Sequence, residues 1–382
     1  MSQNESGISE VTVEVPMNIA LVKYWGKRDE KLILPLNDSI SLTVDKLTAR
    51  TTIRMIQGVG KHTVEINDEK VELSSNKRYQ TVFDEALRLQ RKRKEDSNGN
   101  ENRSVSHHFE VISTTNFPVA AGLASSAAGF AAIALAIQQL LNLDDIQANR
   151  LARIGSGSAC RSMSGGLVHW KKGEKDDGSD CVAVKTKDDN WTDLYCVILV
   201  FNDGRKKVGS SEGMRWTRET STLLKHRIEK VVPERIDLIK KAYATRNFED
   251  LARVIMADSN QFHAVCLDTI PPIRYLNESS WQLIETVEKF NQPEIKAAYT
   301  FDAGPNACVI VQKKDVSKFI NALIRDIQIN TDDLETLPEE FRSIEYQKDD
   351  RTENNFVCSK LVVSSMGSGP EICTPSKNLE LI

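Results

Sequence analysis

The sequence predicts an α+β protein of two lobes with a cleft between them, and three observations predict it. Its 382 residues exceed one minimal domain. Strand-like alternation fills the first third and returns in strongly apolar form at 194–201. A nearly continuous helical pattern then runs from 221 to 290 before strands resume. The apolar strand at 194 sets the expected boundary, with lobes at 1–190 and 191–382.

In chain order, 11–15 alternates Thr, Glu and Val as a half-buried strand does, and 39–44 and 51–55 are further strands. Residues 64–66 and 70–73 flank Asn67-Asp68 and read as a hairpin. Val82, Leu87 and Leu89 give 79–92 helical spacing, and the polar stretch 95–106 reads as a surface loop. A strand at 108–114 precedes helices at 127–141 and 145–154, a strand at 167–170 and a polar turn at 176–180. After the strand at 194–201 come helices at 221–231, 233–245, 248–263 and 279–290. Strands at 297–300 and 307–312 flank a glycine turn, and a helix at 316–327 and a strand at 360–365 follow.

Composition narrows the function. Lys and Arg number 50 against 54 Asp and Glu, a net charge of -4, so no general attraction for nucleic acid or an anionic membrane exists. The basic run 91–94 is a solvated helix end beside an acidic loop. The apolar stretch 117–137 is interrupted by Pro118, Gly122, Ser125 and Gly129 and is rich in alanine, which suits a loop and a buried helix rather than a membrane span. Seven scattered cysteines, none three residues from another, exclude a zinc knuckle or redox pair and suit a reducing compartment. With a polar, acidic N-terminus, the expectation is a cytoplasmic protein.

Several signatures are missing: the Gly-x-x-x-x-Gly-Lys loop, the Gly-x-Gly-x-x-Gly turn and the His-Glu-x-x-His helix. One Gly-x-Ser-x-Gly match, Gly209-Ser-Ser-Glu-Gly213, lies seven residues beyond the strand ending at Phe201, so it does not fit a strand-to-helix nucleophile elbow. The informative segment is Asn116-Phe-Pro-Val-Ala-Ala-Gly-Leu-Ala-Ser-Ser-Ala-Ala-Gly129, where a strand gives way to a small-residue loop and an alanine helix. Exposed amides and partial positive charge at such a helix start attract phosphate, and Ser125 and Ser126 add hydroxyls for phosphate or magnesium. A tightly packed buried helix is the other reading of the same residues.

Pro118-x-x-x-Gly122-Leu123-x-Ser125-Ser126-x-Ala128 resembles the phosphate-binding motif of the GHMP kinase superfamily, with Ala124 where most of its kinases have glycine. Alanine there is similar to the diphosphomevalonate decarboxylases. Four further segments resemble that family: Asn18-Ile-Ala-Leu-Val-Lys-Tyr-Trp-Gly-Lys-Arg-Asp29, Gly155-Ser-Gly-Ser-Ala-Cys-Arg-Ser162, Asp258-Ser-Asn-Gln-Phe-His263 and Tyr299-Thr-Phe-Asp-Ala-Gly-Pro-Asn-Ala307. The resemblance implies a GHMP-kinase-like fold, usually dimeric. It implies ATP-dependent decarboxylation of mevalonate 5-diphosphate with Mg²⁺, giving isopentenyl diphosphate in isoprenoid and sterol synthesis.

The resemblance assigns ATP to Ala121, Gly122, Leu123, Ala124, Ser125 and Ser126, with Ser126 toward magnesium. It assigns substrate to Asn18, Tyr24, Trp25, Gly26 and Lys27, to Arg78, and to Ser210 and Ser211. Ser156, Gly157, Ser158, Ala159, Cys160 and Arg161 belong to a loop of amides and hydroxyls read as a diphosphate or carboxylate cradle, against a flexible turn. Lys23, Lys27, Arg78 and Arg161 suit a substrate with several negative charges, arginine gripping carboxylate or phosphate through paired hydrogen bonds. For Trp25, aromatic packing at a strand end is the competing reading. Catalysis falls to Asp302, with Arg161, Lys23 and Ser126: a carboxylate beside a glycine turn can orient the 3-hydroxyl and accept its proton, although such an Asp also caps turns. Cys160 lacks a positioned base and is read as a packed thiol.

Two alternative functions fit the same fold. A plain GHMP kinase places its catalytic Asp soon after the third glycine-rich segment, where this chain reads Ser158-Ala-Cys-Arg161. A non-catalytic ligand-binding relative would not need Asp302, Arg161 and the Ser125-Ser126 pair together. Departures from the family pattern, including Asp38 for a serine, Val119 for a threonine and Ser164 for an aromatic, remove no group assigned to catalysis.

Overall fold

The computed structural model describes residues 8–97, 106–117, 125–186, 190–201, 207–342 and 356–373. The chain enters as β1 (Ile8–Val22), a strand that passes from half-buried to wholly buried beyond Val15. A short hairpin, β2 (Lys27–Asp29) and β3 (Leu34–Pro35), leads into β4 (Ser39–Gln57). The strands expected at 39–44 and 51–55 are thus one. Its register against β1 jumps from Pro16↔Thr48 to Met17↔Val44, so residues 45–47 bulge out opposite a proline that has no N–H to give the ladder. β5 (Thr63–Ile66) and β6 (Glu69–Lys70) form the expected hairpin, with Asn67 and Asp68 both at positive φ in its turn.

α1 (Lys77–Ser97) runs further than its predicted end, into the first residues of the expected 95–106 loop. β7 (His107–Thr115), α2 (Ser125–Leu141) and α3 (Asp145–Gly155) follow. Alanine at most of the buried positions of α2 lets it lie close beneath β1 and β4. Asp144 and Gln147 close a capping box at the start of α3. A 3₁₀ helix, Gly157–Met163, then β8 (Val168–Trp170) and β9 (Ala183–Lys185) complete the first half.

The second half comprises β10 (Leu194–Val200), α4 (Ser210–Thr220), α5 (Thr222–His226), a π-helical turn at Arg227–Val231, α6 (Val232–Ala244), α7 (Phe248–Leu267) and α8 (Glu278–Phe290). The amphipathic face of α4 buries Met214 and Thr217. Next come β11 (Ala297–Phe301), β12 (Ala307–Gln312), α9 (Val316–Asp326), β13 (Gln328–Ile329), α10 (Thr331–Glu335), β14 (Val357–Cys358), β15 (Lys360–Ser365) and β16 (Glu371–Cys373).

Two main sheets result. The first has the order β16-β1-β4-β7-β5-β6, with β8 on β4 and β9 on β8; the second has the order β11-β12-β10-β15. The last described strand, β16, returns to pair with β1. One apolar cluster runs from β1, β4 and α2 through α6 and α7 to Cys196, Ile198, Cys308 and Ile310 of the second sheet. α7 lies against both β11 and β1, so it touches both sheets. No described helix is long and apolar enough to cross a membrane.

Candidate active site

The buried end of β1 delivers Lys23. Its ammonium, on a side chain only 3% exposed, meets Asp302 Oδ1 at 2.6 Å, while Asp302 is 29% exposed. Asp302 follows the last residue of β11, and the Gly304 amide donates to its carbonyl at 2.8 Å, closing a tight turn. The Lys23 peptide is held on both sides. Its N–H donates to Asp258 Oδ2 at 2.7 Å, and its carbonyl accepts from Asn37 Nδ2 and Arg227 Nη2, each at 3.0 Å. A flexible lysine is thereby anchored at its root and at its tip.

Arg161 comes from the 3₁₀ helix, so the expected cradle loop is a tight helical turn. Ser156, in extended conformation, separates it from α3. Its small residues permit that packing: a Cβ on Gly155 would lie 2.2 Å from the Phe130 ring, and one on Gly157 about 3.1 Å from Trp170. Arg161 Nε donates to Asn18 Oδ1 at 3.1 Å and Nη1 to Ser39 Oγ at 2.7 Å, with the guanidinium 5.8 Å from the Trp170 ring. Asn18 Nδ2 donates in turn to the Ser158 carbonyl at 3.0 Å and to Ser162 Oγ at 2.8 Å. Burial lowers the Arg161 pKa, and the charges of Cys160, Asp302 and Tyr24 oppose that shift.

Tyr24 stacks obliquely on Trp170 at 4.8 Å, and its hydroxyl is buried with no hydrogen bond among the described residues. Burial raises its pKa far above the usual phenol value. The Cys160 thiol donates to the Gly157 carbonyl at 3.1 Å, and burial pushes its pKa up to about 12, so the packed-thiol reading describes it. Trp25 is likewise a packing group: it is buried against Phe262 and Tyr275 and donates from Nε1 to Thr217 Oγ1 at 3.0 Å.

Ser126 Oγ lies 3.1 Å from Ser156 Oγ, which ties the start of α2 to the start of the 3₁₀ turn that carries Arg161. No acidic residue occupies the first turn of α2, the end at which a helix carries partial positive charge. Ala121, Gly122, Leu123 and Ala124 lie outside the described residues, as does the side chain of Ser125. Lys27 Nζ contacts Glu30 Oε2 at 3.0 Å and Ser211 Oγ at 3.1 Å, and Ser210 is the first residue of α4. Gly26 sits at φ 92°, where a Cβ would lie 2.6 Å from Leu36. Arg78 lies over the Phe130 ring at 5.3 Å, beside α2.

Lys23, Asp302, Arg161, Asn18 and Tyr24 are therefore brought together, with Ser126 joined through Ser156. Ser39, Ser162, Asn37 and Arg227 complete the arrangement without having been singled out in the sequence. Ser39 and Ser162 show there only as polar residues within buried stretches, and Asn37 and Arg227 give no local signal. An open cavity of about 540 Å³ lined by Arg88, Lys92, Asn142 and Gln147 lies elsewhere and includes none of these groups.

Asp38 clasps β8 beside Arg161. Its Oδ2 lies 2.7 Å from His169 Nε2 and its Oδ1 accepts the Lys172 amide at 2.9 Å. Burial pushes the Asp38 carboxyl up, but the His169 hydrogen bond, the Lys172 amide and both charges hold it below the usual range. A depressed carboxylate contributes stability above its unfolded pKa, 3.8, and loses it as pH falls through the folded value. The wild-type Tm is expected to fall more steeply from roughly pH 5 to pH 3 than that of Asp38→Asn. Parallel curves in a calorimetric pH series would remove the clasp from the acid stability of the protein.

Comparison with known proteins bears on the whole chain. Residues 15–183 match the diphosphomevalonate decarboxylase-like N-terminal domain, and residues 196–373 match the mevalonate 5-diphosphate decarboxylase C-terminal domain. The diphosphomevalonate decarboxylase of Ganoderma lucidum is 43% identical over 329 residues, covering 83% of this chain and 82% of that one. The mevalonate diphosphate decarboxylase from Trypanosoma brucei superposes with a TM-score of 0.83 at 33% identity, covering 98% of this chain and 100% of that one. MDDEF, solved in complex with MVAPP, AMPPCP and magnesium, superposes with a TM-score of 0.77 at 29% identity, covering 96% and 99%.

Proposed function

The chain belongs to the diphosphomevalonate decarboxylase family, and from that premise we propose how its own residues decarboxylate (R)-5-diphosphomevalonate with ATP, giving isopentenyl diphosphate, ADP, phosphate and carbon dioxide. The 2.6 Å contact of the buried Lys23 with Asp302 is the observation that carries the reading. Asp302 orients the tertiary 3-hydroxyl and accepts its proton as the γ-phosphoryl group arrives from ATP. Lys23 fixes the direction of that carboxylate through its 2.6 Å contact with Oδ1.

Phosphorylation turns the hydroxyl into a leaving group. As the C–O bond breaks, positive charge grows on the tertiary carbon; the C–C electron pair left by departing carbon dioxide fills it and becomes the double bond. Phosphate carries the other electron pair away. The protein positions these groups and stabilises the departing anion. Arg161 has two nitrogens committed to Asn18 and Ser39, and the rest of its planar fork faces the task of holding the substrate carboxylate or phosphate.

ATP phosphates fit the start of α2, which lacks any carboxylate in its first turn. Ser126 is the hydroxyl that would hold magnesium, which would offset the negative charge of the ATP phosphates. Residues 1–190 are assigned to the ATP-binding lobe and 191–382 to the lobe that completes the substrate site. The unpaired cysteines support a cytoplasmic setting, and the family supports a homodimer. Incubation with ATP, Mg²⁺ and diphosphomevalonate is expected to release carbon dioxide and isopentenyl diphosphate in equal amounts. ADP and a phosphorylated product without carbon dioxide would make the protein a plain kinase.

A further inference from the structure

Two neighbouring residues of α7 each take a backbone amide from one side of the Lys23–Asp302 contact. Asp258 Oδ2 accepts the Lys23 N–H at 2.7 Å, and Ser259 Oγ accepts the N–H of Phe301, the residue before Asp302, at 3.1 Å. Both side chains are buried, at 0% and 1% exposure. Lys23 and Asp302 are 279 positions apart in sequence and each follows the end of a strand of a different sheet, so nothing local fixes their separation. Adjacent positions on one helix do.

Each amide needs that acceptor for its own reason. β11 is the edge strand of its sheet, and the Phe301 N–H, on a residue with no exposure, is given to the Ser259 hydroxyl of α7. Ser259 supplies that acceptor at the point where the strand ends and the Asp302 turn begins. Asp258 is made rigid in turn by Arg227, at 2.8 and 3.0 Å, and by Arg235 at 3.0 Å. One turn further along α7, His263 lies beside Phe301; burial, reinforced by the charge of Lys23, pushes its pKa down to about 3, so the ring adds no third charge next to the pair.

We propose that Asp258 and Ser259 are positioning residues for the reaction: they form a two-residue template on α7 that sets the distance and direction of the Lys23–Asp302 contact. The proposal rests on the reading of Asp302 as catalytic. Without the Ser259 hydroxyl the Phe301 amide is orphaned, and the end of β11 shifts to satisfy it, taking the Asp302 carboxylate out of line.

The test uses Ser259→Ala, Ser259→Thr, Asp302→Asn and the Ser259→Ala/Asp302→Asn double variant, with kcat, both KM values and Tm measured for each. Ser259→Ala is expected to lower kcat about tenfold while each KM stays within about twofold. Ser259→Thr, which keeps the hydroxyl, is expected to restore most of the loss. In the Asp302→Asn background, Ser259→Ala is expected to change kcat by less than about twofold, because its effect passes through the missing carboxylate. A Ser259→Ala enzyme with wild-type kcat, or one losing the same factor in both backgrounds, overturns the template. Wild-type turnover in Asp302→Asn overturns the catalytic reading beneath it, and the two failures are distinct.

Discussion

Asp302→Asn is expected to lower kcat by about 10²-fold or more while ATP binding and folding remain near wild type. Asparagine keeps the shape of the side chain and an oxygen for Lys23 Nζ to contact, so the 2.6 Å interaction loses its negative charge before it loses its geometry. The root of Lys23 stays anchored by Asp258, Asn37 and Arg227, none of which touches the substituted group. What disappears is the capacity to accept the hydroxyl proton and to orient the hydroxyl as an anion does. Steady-state kinetics with calorimetric ATP titration separates these contributions. Turnover at the wild-type rate would take Asp302 out of the mechanism.

The second large effect is on stability. The Asp258 carboxylate has no exposure, and its neighbour Arg227 has none either. Burial pushes Asp258 up, but Arg227, the Lys23 amide and Arg235 outweigh it and hold the group below the usual carboxylate range. Asp258→Ala leaves Arg227 charged and uncompensated in the interior and is expected to cost on the order of 3–5 kcal/mol of unfolding free energy. Adding Arg227→Met to that variant is expected to recover part of the loss, because the stranded charge goes with it. Urea denaturation of the three proteins checks both statements. A cost under about 1 kcal/mol for Asp258→Ala would mean that the carboxylate is not what neutralises the cluster.

The fold is the two-lobed GHMP-kinase-like fold that the segment resemblances imply. Its periodic elements were readable because each buries one face: the α2 alanines and the α7 apolar stripe carry their own signal. The single strand β4 was not, since the bulge at residues 45–47 breaks the alternation where β1 carries Pro16. The helix α4 was hidden by polar residues on its exposed face. Nor does spacing in sequence reveal that Asp302 reaches Lys23 or that Arg227 reaches the Lys23 carbonyl; those contacts join elements more than two hundred positions apart. Motif likeness named Lys23, Asp302 and Arg161. Only tertiary packing shows that α7 stands behind the first two.

The thiol at position 160 has a use beyond its packing. It sits in the same 3₁₀ turn as Arg161, covered and protonated, and a small uncharged alkylating reagent reaches it only when that wall parts. Its labelling rate therefore counts excursions of the wall, a clock the native chain carries without any engineered probe. Slower labelling in the presence of nucleotide reports how far a ligand quiets those excursions.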